Sequence, residues 1–308
     1  MSKVKKILIT GSNGLLGQKI VYSLKQREDV DLYATALGEN RLIDKTGYTY
    51  FSLDITDLKS VNRVIDYVMP DVIINTAAMT NVDACELNKE QCWKINVEAV
   101  QYLVNASLKS DAHFIHLSTD FVFDGKSGPY SEKDEPNPLH YYAESKLASE
   151  KIVSETSFNY AILRTIIIYG ITDNMSRSNL VLWSKGEIEK GNTIRVVNDQ
   201  YRSPTLAEDL AEGCIAVADK NAQGIYHLSG PETNSILELV YKVADYYNLD
   251  KSKIIPVTSE SLNQPAKRPL KTGFVIEKAK KELNFNPRNF DSGIQFLEKQ
   301  MSELINIK

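Results

Sequence analysis

Cysteine is scarce in this chain and carries no pattern. The three present, Cys85, Cys92 and Cys214, have no metal-type spacing, and their odd number argues against a disulfide framework, so they read as reduced packing residues. Histidine is equally thin. His113 and His116 fall on one predicted strand with side chains on opposite faces, and no metal site is expected. Long apolar runs are also missing: nothing approaches the ~20 residues of a membrane span, and the run "ILIT" begins too soon after the amino terminus for a secretory segment. Nor is there an excess of one charge. Lys and Arg number 36 against 40 Asp and Glu, a net −4, so the electrostatic footprint of a nucleic-acid binder is not present. A cytoplasmic globular protein is the expectation, with 308 residues and 43% hydrophobic content sufficient for one large core and a smaller one.

What is there is alternation. The short apolar runs "KILIT", "DLYATAL", "YTYFSLD", "DVIINTAA", "HFIHLST" and "YAILRT" are separated by "LLGQKIVYSLKQ", "LKSVNRVIDYVM", "KINVEAVQYLVNASLK" and "YYAESKLASEKIVSE", which repeat apolar residues at helical spacing. That rhythm predicts an α/β domain, a doubly wound parallel sheet covered on both faces, over residues 1–165. After residue 165 the rhythm loosens. A helix near 205–222 is expected to return to the first domain, while 166–204 and 223–308 are expected to form mainly a smaller carboxyl-terminal lobe for substrate.

Immediately after the first strand comes "TGSNGLLGQKI", with Gly11, Gly14 and Gly17 three apart and a helix beginning at once. Glycine permits a tight turn and close backbone approach, and free amides at a helix amino terminus meet a pyrophosphate. In this strand–loop–helix context the motif predicts a dinucleotide site, formed by Gly11, Asn13, Gly14, Leu15 and Gly17. The second strand runs out as "ATALGENR" without an acid at its tip, and Arg41 lies within reach of a 2′-phosphate. NADP(H) is therefore the preferred cofactor, with NAD(H) the alternative. Asp54 and Ile55 after the third strand are expected beside the adenine, and Ala77 and Ala78 after the fourth provide small residues along the cofactor.

The stretch "PLHYYAESKLASE" holds two adjacent tyrosines and one lysine. Residues four apart share a helix face, so Tyr142 meets Lys146 while Tyr141 meets Ser145. A neighbouring cation favours the phenolate and would lower the tyrosine's pKa. In a chain of 16 tyrosines such a pair also arises by chance, as Tyr247 and Lys251 show. Context separates them: the fifth strand ends in "LSTDFVFDG", placing Ser118 and Thr119 at the sheet edge, and Tyr142 follows at the start of the next helix.

These residues together, TGxxGxxG, a hydroxyl at the end of the fifth strand and Tyr-x-x-x-Lys, resemble the extended short-chain dehydrogenase/reductase family. Within it, "STDFVFDGKSGPYSEKDEPNPLHYYAESK", "ILRT", "DQYRSPT" and "GIYHLSG" look like the dTDP-4-dehydrorhamnose reductases, a likeness covering nearly the full chain. The resemblance implies that Tyr142 gives a proton to a keto oxygen, that Lys146 holds the nicotinamide ribose and lowers the tyrosine's pKa, and that Thr119 orients the carbonyl. Asp120 is expected beside the substrate. The implied partner is a nucleotide sugar, with a homodimer as the assembly considered.

The chain departs from the family pattern at three places. Ala143 follows the tyrosine where glycine is common, Ile167 in "RTIIIYG" stands where a tryptophan faces the sugar, and "DQYRSPT" carries Tyr201 and Arg202 where smaller residues are usual. Arg202 is assigned either to a phosphate or to a salt bridge between lobes; Arg268 in "AKRPLKTG" is the second arginine expected on a diphosphate. Tyr141 is expected in packing or in the pocket wall. The rival readings are an epimerase or dehydratase of the same family and a non-catalytic binding module resembling the regulatory β subunit of methionine adenosyltransferase.

Overall fold

The structure, a computed structural model, describes residues 4–157, 159–175 and 178–306. The first strand, β1 (Lys5–Thr10), sends Ile7 and Ile9 into one core cluster and Leu8 into another, the period of two that a sheet covered on both faces requires. The chain continues through α1 (Leu15–Leu24), β2 (Val30–Ala36), β3 (Thr49–Ser52), α2 (Leu58–Val68) and β4 (Val72–Asn75). It then forms α3 (Val82–Leu87), α4 (Lys89–Trp93), α5 (Ala99–Ser107), β5 (His113–Thr119), α6 (Tyr141–Thr156) and β6 (Tyr160–Thr165).

All these strands pair in parallel, in the order β6-β5-β4-β1-β2-β3. The order of winding reverses between β1 and β4, and the crevice outside the carboxyl ends of those two strands is where ligands bind in such sheets. Later elements are α7 (Leu180–Glu189), α8 (Ala207–Lys220), α9 (Ile236–Tyr246), α10 (Glu277–Leu283) and α11 (Phe290–Asn306). Short paired segments, among them Ile194–Val197 with Ile254–Val257, complete a smaller layer. No helix among the described residues is long and apolar enough to cross a membrane.

Two segments differ from expectation. Gly224–His227, assigned from the sequence to the smaller lobe, is the seventh strand of the main sheet, paired in parallel with β6. Ala279 and Leu283 of α10 and Phe285 follow it into the core that α1 and α8 cover. The stretch expected as one regular helix before β5 contains a π-helical turn, Lys94–Glu98.

α6 carries the unusual face. Its fully buried positions include Tyr142, Ser145, Lys146, Ser149 and Glu150, spaced three and four apart, so the stripe turned to the sheet is largely polar. The helix starts where His140 Nδ1 accepts the Ala143 amide at 3.3 Å, an end-cap that fixes Tyr142 in the first turn.

Candidate active site

The glycine loop is shaped by contacts that leave no room for side chains. Gly11 has φ +73°, and a Cβ there would lie 2.7 Å from the Ala77 amide nitrogen and 2.8 Å from Thr76 Oγ1. At Gly17 a Cβ would come within 2.4 Å of the Gly11 carbonyl oxygen. α1 begins at Gly14 without a side-chain cap, and Ser12 Oγ is buried with no partner. A cradle no Cβ can enter, opening on an uncapped helix amino terminus, fits a dinucleotide pyrophosphate.

The neighbouring loops are tied to this cradle. Asn13 Oδ1 accepts the Arg41 amide at 2.9 Å, and Asn13 Nδ2 donates to Glu39 O at 2.8 Å. Leu15 opens α1 beside them. Arg41 O in turn accepts from Asn174 Nδ2 at 2.8 Å, so the main chain bearing the exposed Arg41 is held from two sides. Asp54 is exposed and accepts the Thr56 amide, and Ile55 beside it is buried. Ala77 and Ala78 are half-buried at the end of β4, with the Ala77 amide donating to Asn75 Oδ1 at 3.3 Å.

At the end of β5, Thr119 Oγ1 donates to Asp120 Oδ1 at 3.1 Å and accepts the Phe121 amide at 3.2 Å. Tyr142, only 8% exposed, lies close enough to Thr119 for that hydroxyl to act on its phenol, and its ring is parallel to that of His140, 6.0 Å between centroids. Thr119 and Tyr142 therefore meet as the spacing predicted. Lys146 does not join them in the expected way. Its Nζ lies 3.1 Å from His116 Nε2, pointing along the strand. Burial, then Asp120, hold the Tyr142 phenol well above its usual range, with the Thr119 hydroxyl opposing them. The expected depression of the phenol by the lysine is thus corrected: desolvation outweighs the nearby amine. Lys146 itself is 2% exposed and pushed down to about 8 by burial, with Glu150 and Cys92 opposing.

Asp120 is buried with its carboxyl pushed up, chiefly by burial; Thr272 Oγ1 donates to it and Arg202 Nε lies 3.6 Å away. Arg202, expected on the diphosphate with a salt bridge between lobes as the alternative, is instead turned into the protein. It is 1% exposed and donates to the carbonyls of Pro269 at 2.6 Å, Tyr201 at 2.7 Å and Leu270 at 3.1 Å, which leaves it joining segments rather than facing a ligand. Arg268 makes a two-pronged bond to Asp83 of α3, 2.7 Å to each oxygen, and also lines a cavity of about 340 Å³ with Trp183, Arg195, Gln200, Leu262 and Gln264. Ile167, at φ +31°, packs against the cluster of Val122, Phe123, Tyr130 and Phe274. Tyr141 faces the other way, 6.1 Å from the Trp93 ring and under Lys89.

Several residues that the motifs did not indicate hold these groups in place. Asn96, inside the π-helical turn, donates to Ser145 Oγ at 3.1 Å and to Met79 O at 3.0 Å, joining α6 to the loop after β4. Glu150 accepts Arg164 through both oxygens and also accepts from Ser118 Oγ. His116 and Asn75 line up across β5 and β4, as their register dictates. The only sequence signal for His116 was a histidine two positions before Ser118, on the same strand face.

A doubly wound sheet with a glycine cradle at its switch point, and a strand hydroxyl meeting the tyrosine of Tyr-x-x-x-Lys, define an extended short-chain dehydrogenase/reductase, a class of NAD(P)-dependent oxidoreductases. Comparison with known proteins narrows this: residues 5–302 match the RmlD substrate binding domain family, and the chain belongs to it. It is 30% identical over 304 residues to the spore coat polysaccharide biosynthesis protein SpsK of Bacillus subtilis, covering 96% of this chain and 98% of that one. It is also 31% identical over 270 residues to methionine adenosyltransferase 2 subunit beta of Danio rerio, 86% of this chain and 81% of the relative. Among solved structures, dTDP-4-dehydrorhamnose reductase from Bacillus anthracis in complex with NADP superposes with a TM-score of 0.85 at 28% identity, covering 96% and 99% of the two chains.

Proposed function

We propose that this protein reduces the 4-keto group of a nucleotide-linked 6-deoxy sugar with NADPH, dTDP-4-dehydrorhamnose being the favoured substrate. The observation that carries the reading is the approach of Tyr142 to Thr119 at the carboxyl edge of the sheet that also presents the glycine cradle. Gly11, Asn13, Gly14, Leu15 and Gly17 would hold the pyrophosphate, Arg41 a 2′-phosphate, Asp54 and Ile55 the adenine, Ala77 and Ala78 the neighbouring stretch, and Lys146 the nicotinamide ribose. A bound NADPH supplies the hydride.

The side chains then handle the proton. Because burial raises the Tyr142 phenol, it stays protonated through neutral pH and serves as the general acid toward a carbonyl oxygen gaining negative charge. Thr119 orients that oxygen from β5. Asp120, fixed by Thr272 and Arg202, holds Thr119 in turn. Lys146 stabilises the phenolate left behind. Arg268 and the cavity it lines suit the nucleotide end of the substrate, and Ile167 lies on the sugar side. Arg202, with its donors spent on carbonyls, shapes this region from behind.

The likeness to a methionine adenosyltransferase β subunit favours a second reading, a dinucleotide-binding module without turnover. One experiment separates the two: incubation with NADPH and dTDP-4-keto-6-deoxy-L-mannose, followed at the reduced nicotinamide band. Oxidation of NADPH dependent on the sugar supports the reductase. Tight NADPH binding without turnover of this or any other nucleotide 4-keto sugar supports the module.

A further inference from the structure

We propose that His116 is a positioning residue that fixes both the place and the protonation of the Lys146 amine. The proposal deepens the reductase reading and rests on it for the role of Lys146. It starts from a buried polar line that runs across three strands into α6. Thr10 Oγ1 donates to Asn75 Oδ1 at 2.6 Å, and the Ala77 amide donates to the same oxygen at 3.3 Å. With its oxygen committed to two donors, Asn75 presents Nδ2, a donor, to His116 Nδ1 at 3.1 Å. Nδ1 must accept, so the imidazole proton sits on Nε2. The ring is neutral, because burial and then Lys146 hold its pKa well below the usual value.

That N–H faces two groups. Ser149 Oγ lies 3.0 Å away, free to accept because its own hydrogen goes to Lys146 O at 2.7 Å. Lys146 Nζ lies 3.1 Å away and meets the N–H edge of the ring rather than a lone pair. An ammonium there sets donor against donor, whereas a neutral amine can accept. The other groups facing Lys146 are Glu150 one turn along α6, its carboxylate taken by Arg164, Cys92 from α4, and Tyr142 one turn earlier. None of these is hydrogen-bonded to Nζ, whose partner among the described residues is the imidazole. His116 therefore favours the neutral form of Lys146, in the same direction as the burial that brings its titration close to the physiological range. Among the described residues, the ring stacked on His116 is Phe114, 6.4 Å away and without charge.

The first test needs no turnover. In protein labelled with ¹⁵N-histidine, with the His116 signals identified by their loss in His116→Leu, the ring nitrogens should report the Nε2–H tautomer. They should also shift on alkaline titration with a midpoint near 8, a shift that disappears in Lys146→Met. An Nδ1–H tautomer, or the absence of a Lys146-dependent midpoint, overturns the proposal. The second test uses the alkaline limb of the kcat profile with dTDP-4-keto-6-deoxy-L-mannose. His116→Leu removes the opposing N–H and should move that limb up by about one pH unit, while Ser149→Ala turns the N–H wholly onto Nζ and should move it down. Lower kcat with both limbs unmoved would mean a merely structural role and also overturns the proposal. The unaltered protein run in parallel keeps the outcomes apart: no sugar-dependent NADPH oxidation there sinks the reductase reading, whatever the imidazole signals show.

Discussion

The two ends of the candidate site are built from different materials. At the junction of β1 and α1, recognition is a matter of backbone: three glycines and a helix terminus within eight residues make a surface on which a Cβ at Gly11 or Gly17 collides. At the junction of β5 and α6 it is a matter of side chains drawn from β1, β4, β5 and α6, each satisfied by the next. A backbone cradle tolerates almost any change that keeps it bare and fails when it is filled. A buried polar network fails when any member is removed, because the partner left behind is desolvated and unpaired.

The sharpest way to break the comparison is at its chemical end. Tyr142→Phe should lower turnover by roughly 10²–10⁴-fold with NADPH affinity nearly unchanged, since it deletes a proton donor and no phosphate contact. Tyr141→Phe should cost little, because that ring packs on Trp93 away from Thr119. Steady-state kinetics beside a cofactor titration decides it; equal losses in the two variants would dismiss the assignment.

Next in size is Arg202→Ala. Its guanidinium is enclosed by three carbonyls and Asp120, so removal strands a buried carboxylate and should destabilise the protein by about 3–5 kcal/mol, read as a lowered denaturation midpoint. Arg268→Ala, whose side chain is less enclosed and whose partner Asp83 is half-buried, should instead raise KM for the nucleotide sugar more than it lowers kcat. If the two variants behave alike, the distinction between a joining arginine and a cavity arginine is wrong.

The cradle can be sharpened by a pair of its own. Gly11→Ala forces a Cβ against the Ala77 amide at a positive φ and should cost about 1–3 kcal/mol, with NADPH binding weakened in step. Gly14→Ala meets only the Gly11 carbonyl oxygen at 3.3 Å, at an ordinary φ of −81°, and should be the milder change. Isothermal titration with NADPH measures both. A reversed order would mean that the loop is held by something other than close approach.

The same contrast explains what could be read from the sequence. Strand–glycine loop–helix is local, so its residues announce it; Thr119 and Tyr142 are legible because one ends a strand and the other begins the next helix. His116, Asn75 and Asn96 are not, because their meaning comes from β4–β5 register and from a π-helical turn that periodicity reads as ordinary helix. Gly224–His227 escaped for a related reason: a four-residue strand far along the chain gives no sign of which edge it joins. The shared helix face of Tyr142 and Lys146 was legible, but not their electrostatics, since helical spacing says nothing of how deeply both groups are buried. At Ile167 the sequence announced a lost aromatic, but not the positive φ of the β-branched residue that replaces it.

The smallest expected effect lies between the two regions, where a side chain is added to the backbone cradle. Asn13, itself part of the glycine loop, accepts the Arg41 amide, and Asn174 donates to the Arg41 carbonyl, so the main chain of this exposed residue is set. A cation held in that way would contribute a screened, charge-assisted contact to a 2′-phosphate and nothing to a 2′-hydroxyl. Arg41→Ala should weaken NADPH by about 1–2 kcal/mol and leave NADH almost unchanged. The loss should shrink as salt is raised, because an exposed pair is screened while the buried contacts of the cradle are not. Paired titrations of the two cofactors at low and high ionic strength check it. Equal weakening of both, or a preference for NADH in the unaltered protein, would return the 2′ end of the site to the backbone alone.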